Sequence, residues 1–155
     1  MKRALFVFTC IALLSVFCMG LSIAQEKATK EECMAKCKEA AALIKEAGVD
    51  AAVAKIQDAK GPFVWKDSYV FVMDMDTKML AHPITPTLVG KTLAGLKDVN
   101  GKIFGSEFVA VANSTGEGWV DYMWPKPGEK TPSKKLTYVY RVPGQQIIVG
   151  AGIYE

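Results

Sequence analysis

The chain has 155 residues, half of them hydrophobic, with 19 basic and 16 acidic side chains. That length suits one domain around one core. Two of the basic residues lie in an acid-free leader, so 17 face 16 in the remainder, and a formal charge of +1 excludes the basic patch that a nucleic-acid partner requires.

Lys2 and Arg3 open the chain, and an apolar run follows from Ala4 to Ala24. Ser22 and Ala24 stand at the minus three and minus one positions before Gln25. This layout predicts a signal peptide over residues 1–24. The run exceeds the usual apolar region of about 7–15 residues, and about 20 can span a bilayer, so an uncleaved N-terminal anchor is the alternative. Either way residues 25–155 form an exported, periplasmic domain. Bulky Phe17 before Cys18 argues against lipidation. No second apolar run follows within the 155 residues, and the domain is expected to act without an output module of its own. A sensor of this form is expected to signal through another, membrane-bound protein.

Residues 26–47 are rich in Ala, Glu and Lys, all good helix formers. Cys33, Cys37, Ala40, Ala41 and Ile44 recur at three- and four-residue spacing, which predicts a helix with one apolar stripe. Gly48 is placed as its C-cap. Asp50 is placed as the cap of a shorter helix, Ala51 to Ile56. Gly61 and Pro62 close the helical part. Tyr69 to Met73 is aromatic and β-branched and predicts a strand. Asp74 to Thr77 forms a turn, and Lys78 to His82 returns as the hairpin partner. Residues 84–116 are irregular and glycine-punctuated, with a short helix over Gly105 to Val111. Gly118 to Trp124, Lys135 to Val142 and Gln146 to Tyr154 predict three more strands, separated by Pro and Gly. The expected class is α+β, with a long helix and about five antiparallel strands.

Several blocks carry a resemblance. Gly61 to Phe71, Lys78 to Pro83 and Leu88 to Lys91 resemble segments of the single Cache family. Gly116-Glu117-Gly118-Trp119-Val120-Asp121-Tyr122-Met123-Trp124-Pro125 is the most specific block. Lys134 to Val139 and Gly150 to Tyr154 are similar to its closing strands. The blocks keep their order and span about residues 27–155. The resemblance implies an N-terminal helix on a twisted antiparallel PAS-like sheet. It also implies an extracytoplasmic sensor of small molecules, short organic acids among them. The chain departs from the pattern at Thr77, where the hairpin turn would carry glycine.

A small-ligand pocket needs apolar walls and a few aimed polar groups. Strand alternation puts Tyr69 and Phe71 on one face of their strand, and Val120, Tyr122 and Trp124 on one face of theirs. These rings, beside the irregular segment as a lid, are candidate pocket walls, although the same rings would also serve as plain sheet core. Lys135 is the candidate anion anchor through charge-assisted hydrogen bonds, with Lys134 pointing the opposite way. Tyr138, in the same block, joins the candidate lining. His82 ends a strand facing the lid and could donate to a ligand oxygen. Trp65 is placed to close one side. Together they predict a hollow interior for a small organic ligand, preferably a carboxylate. A homodimer through the N-terminal helix is a further candidate partner.

Cys33 and Cys37 sit one turn apart on one helix face, and export leaves two readings, a local disulfide or two packed thiols. Their spacing fits neither a redox pair nor haem attachment, and no metal site or cofactor is expected. Asp74 and Asp76 begin like a calcium loop that fails at Lys78. One histidine without a nucleophile motif assembles no triad, so no catalytic residue is assigned. The competing reading is a structural or protein-interaction module whose pocket has collapsed.

Overall fold

The structure is a computed structural model and describes residues 26–155. The predicted leader, residues 1–24, lies outside the described residues. No helix among the described residues is long and apolar enough to cross a membrane.

Helix α1 spans Lys30–Ala47 and begins four residues later than the composition suggests. The reason is a capping box. Thr29 Oγ1 accepts the Glu32 N–H at 3.2 Å, and a Glu32 carboxylate oxygen accepts the Thr29 N–H at 2.9 Å. Thr29→Ala is expected to lower stability by about 1 kcal/mol in urea denaturation. The predicted stripe of Cys33, Cys37, Ala40, Ala41 and Ile44 is fully buried. Gly48 ends α1 at φ +82°, a conformation that favours a residue without Cβ, and also caps α2, Val49–Ile56. Asp50 is therefore not the cap; it lies in the first turn of α2.

The six-stranded sheet comprises β1 (Val64–Trp65), β2 (Ser68–Asp74), β3 (Met79–Ala81), β4 (Glu117–Pro125), β5 (Pro132–Arg141) and β6 (Ile147–Tyr154). Its order is β1-β2-β6-β5-β4, all antiparallel, with β3 also paired to β2. Five of these strands match the expected runs. The sixth, β1, has two residues, too few to show alternation. Asp74 Oδ1 accepts the N–H groups of Asp76 and Lys78, which makes the predicted turn. Thr77 stands there at φ +65°, the left-handed conformation that glycine would take at less strain. Its hydroxyl is 2.8 Å from that of Thr92 and so ties the hairpin to the lid.

Both faces of the sheet are covered. Helices α1 and α2 pack on Val70, Val72, Tyr138 and Val149. The other face carries α3, Phe104–Ser114, together with Leu93 and its irregular segment. Central strands buried on both sides read as continuous apolar runs, as β2 and β6 do. The candidate site lies on the α3 face.

Candidate ligand-binding site

Side-chain alternation sorts the sheet into two sets. On the α3 face stand Tyr69 and Phe71 of β2, Tyr122 and Trp124 of β4, and Val139 of β5. Lys135 and Thr137, at even spacing from Val139, share that face. Register sets Tyr122 beside Lys135, and Lys135 beside Tyr154. Glycines in β6 make room for the larger groups. The Phe71 ring lies on Gly150 so closely that a Cβ there would overlap it. At Gly152 a Cβ would stand 2.8 Å from Lys135 Cε and 2.8 Å from the Leu136 carbonyl oxygen. Gly152→Ala should therefore displace the Lys135 stem and cost about 1–3 kcal/mol by overpacking, read as a lower denaturation midpoint.

Lys135 is 1% exposed. Its Nζ donates to the Tyr69 hydroxyl oxygen at 3.0 Å and stands 4.1 Å from the centroid of that ring and 5.0 Å from that of Tyr154. No carboxylate pairs with it among the described residues. Burial works against its charge, and the hydroxyl oxygens of Tyr122, Tyr69 and Tyr154 work for it. Burial, ahead of every other cause, raises the pKa of Tyr122 and Tyr154, so those phenols keep their protons. Tyr69 accepts from Lys135 and Tyr122 accepts from Thr137 Oγ1 at 3.3 Å, which leaves both hydroxyl protons to donate. Lys134, by contrast, pairs with Glu155 at the surface at 2.9 Å.

His82 is buried beside these groups, its ring centroid 4.8 Å from that of Tyr69 and 6.2 Å from that of Trp124. The Gln57 side chain holds its backbone from both sides, accepting the N–H at 2.7 Å and donating to the carbonyl at 3.1 Å. Nδ1 accepts the Thr85 N–H at 2.9 Å. Burial first, and the Lys135 charge second, push its pKa down to about 3. The ring is neutral at physiological pH, and the Thr85 bond assigns its proton to Nε2.

The polar groups that converge are donors: the Lys135 ammonium, two phenols and an imidazole N–H. Apolar walls surround the Tyr122 phenol and the His82 imidazole. Phe104 stacks on Tyr122 at 4.4 Å, Phe108 meets it edge-on at 5.5 Å, and Met79, Leu88 and Leu93 complete the enclosure. The enclosed space is tighter than the sequence suggests. It admits the centre of a water-sized sphere over about 10 Å³, room for about one water. Lys135 and Tyr69 do not border it; Tyr122 and His82 do. The expected hollow interior is thus nearly closed, with the ammonium buried behind its inner wall.

Two candidate residues lie elsewhere. Tyr138 stands three residues from Lys135, so alternation turns it to the α1 face. There its ring meets Trp119 at 5.2 Å and its hydroxyl donates to Glu117. Trp65 packs on the same α1 face through β1. Neither reaches the chamber. Cys33 and Cys37 are free, buried thiols, so the disulfide alternative is not formed. Each turns onto the sheet, Cys33 Sγ lying 3.8 Å from Ser68 Oγ and Cys37 Sγ 3.9 Å from the Tyr138 carbonyl oxygen. Tyr154, Phe104 and Phe108 were not among the expected lining. For Tyr154 the signal is its even spacing from Gly150 and Gly152 on the last strand.

The family model described as Single Cache domain 2 matches residues 23–155. The chain is 35% identical over 88 residues to the methyl-accepting chemotaxis protein McpP of Pseudomonas putida, covering 57% of this chain and 16% of that receptor. The chain therefore spans under a fifth of that relative. Among solved structures, a Cache chemosensory domain studied for carboxylic acid recognition superposes with a TM-score of 0.72 at 30% identity, covering 80% of this chain and 91% of that one. The periplasmic sensor domain of a chemotaxis protein superposes with a TM-score of 0.64 at 30% identity, over 80% and 88% of the two chains. The match takes in every described residue, and the chain belongs to the single Cache domain family.

Proposed function

We propose that this domain binds a short monocarboxylic acid in the periplasm and passes the binding event to a membrane-bound signalling partner. The observation that carries the reading is the Lys135 ammonium, buried at 1% exposure with no carboxylate beside it among the described residues. Burying an unpaired charge is costly, and a bound carboxylate would supply the missing countercharge. Donor groups without a converging acidic side chain favour an acid over an amine or an α-amino acid. One buried cation favours one carboxylate over two. The likeness to a domain that recognises carboxylic acids supports the same class, and the likeness to chemotaxis receptors supports the partner.

Binding rather than catalysis suits His82 as well. A general base works best with a pKa near the operating pH, whereas this imidazole is pushed down to about 3 and its Nδ1 is engaged. Thermal shift against acetate, propionate, pyruvate, lactate and amino acids tests the reading. A ligand at 100 times its dissociation constant should add about 2.7 kcal/mol of stability. A rise with a monocarboxylate and none with amino acids is expected. The nearly filled chamber favours a second reading, an interaction module without ligand. It predicts no shift with any acid and a stable dimer through α1.

A further inference from the structure

We propose that the ligand enters past Trp124, whose indole is the gate between the chamber and a surface cleft beneath the β4–β5 connection. The inference rests on the binding reading above but concerns the path alone. With room for about one water, the chamber cannot admit an organic molecule unless a wall moves. Among the described residues, Trp124 alone borders both the chamber and the cleft, which has a volume of about 590 Å³. Its side chain is half-buried and makes no hydrogen bond among the described residues. It is held by rings, with centroids 5.6 Å away at Phe104, 6.1 Å at Tyr122 and 6.2 Å at His82.

The opposite wall is tied far more firmly. The Met79 N–H donates to the Lys91 carbonyl at 2.9 Å, Gly90 N–H to Met79 at 2.8 Å and Leu93 N–H to Thr77 at 2.9 Å. Leu93 also packs on Gly105, where a Cβ would come within 2.7 Å of the leucine Cβ. Asp98 Oδ2 accepts the Met123 N–H at 2.9 Å and so fastens the lid to β4. Lifting this lid breaks a series of backbone hydrogen bonds, whereas rotating the indole breaks ring contacts only. The cleft carries Lys126 and Lys130 against Glu129, so an incoming anion meets no net repulsion.

Cysteine labelling tests the route without needing a ligand. Met79→Cys places a thiol on the chamber wall, and its modification by a small neutral thiosulfonate is timed. The native thiols Cys33 and Cys37, buried behind α1, report general loosening in the same sample. Trp124→Ala is expected to speed modification of the chamber thiol about tenfold or more, because it removes the need to wait for a minor open state. Cys33 and Cys37 should keep their rates. Asp98→Ala, which frees the lid tether, should change the chamber rate by less than about twofold, since the lid keeps its backbone bonds. An unchanged rate in Trp124→Ala, or one rising equally at Cys33 and Cys37, overturns the gate. So does an Asp98→Ala rate that matches Trp124→Ala. Failure of every carboxylate to bind, with this labelling pattern intact, would overturn the ligand reading and leave the gate supported.

Discussion

Replacing Lys135 by methionine is expected to weaken carboxylate binding by more than about a hundredfold while the ligand-free domain melts at a higher temperature. The two effects have one cause. Methionine keeps an unbranched apolar stem out to the ε position that lies on Gly152, so the sheet packing survives. What it removes is a charge whose removal from water costs several kcal/mol. Only part of that cost is offset in the free domain. The Tyr69 hydrogen bond contributes about 1.5–3 kcal/mol and the ring contact about 0.5–2 kcal/mol. The variant should therefore gain about 1 kcal/mol or more in the absence of ligand. Calorimetric titration reads the first effect and thermal melting the second. A methionine variant that melts lower and still binds the acid would remove Lys135 from the site.

Stability should fall as the pH is lowered from about 6.5, with His82 as the cause. Its folded pKa is pushed down to about 3, whereas in the unfolded chain it takes its ordinary value near 6.5. Between these values the unfolded chain holds a proton that the folded one refuses. Stability therefore rises with pH through this window and is lost on the way down, by up to about 1.4 kcal/mol per pH unit. Protonation would place a second buried cation beside Lys135 and break the Thr85 bond to Nδ1. His82→Asn retains an oxygen to accept the Thr85 N–H but does not titrate. Its unfolding free energy should change less between pH 6.5 and 4.5 than that of the parent chain, by about 2–3 kcal/mol over the two units. Parallel curves for the two proteins would mean that His82 titrates normally in the fold.

Alternation and helical spacing were enough to read most of the architecture. The stripe from Cys33 to Ile44 is the face that α1 buries, and Tyr69 and Phe71 do share a face with Tyr122 and Trp124 across the sheet. The same rule, applied strictly, would have excluded Tyr138, since an odd step from Lys135 reverses the face. Trp65 was harder, because a two-residue strand shows no period. Phe104 and Phe108 come from a helix whose packing onto the sheet depends on a lid with no periodic pattern. The size of the chamber was beyond reach altogether. It depends on how far the rings of Phe71, Phe104 and Tyr122 close on one another, and composition does not encode that distance.

The most direct test is a matched pair of titrations. The monocarboxylic acid that gives the largest thermal shift is compared by calorimetry with its own amide, which has nearly the same size and shape and no charge. If the buried ammonium awaits an anion, the acid binds and the amide binds at least about a hundredfold more weakly. Equal affinities, or preference for the amide, would show that the chamber selects shape alone and would contradict the role given to Lys135.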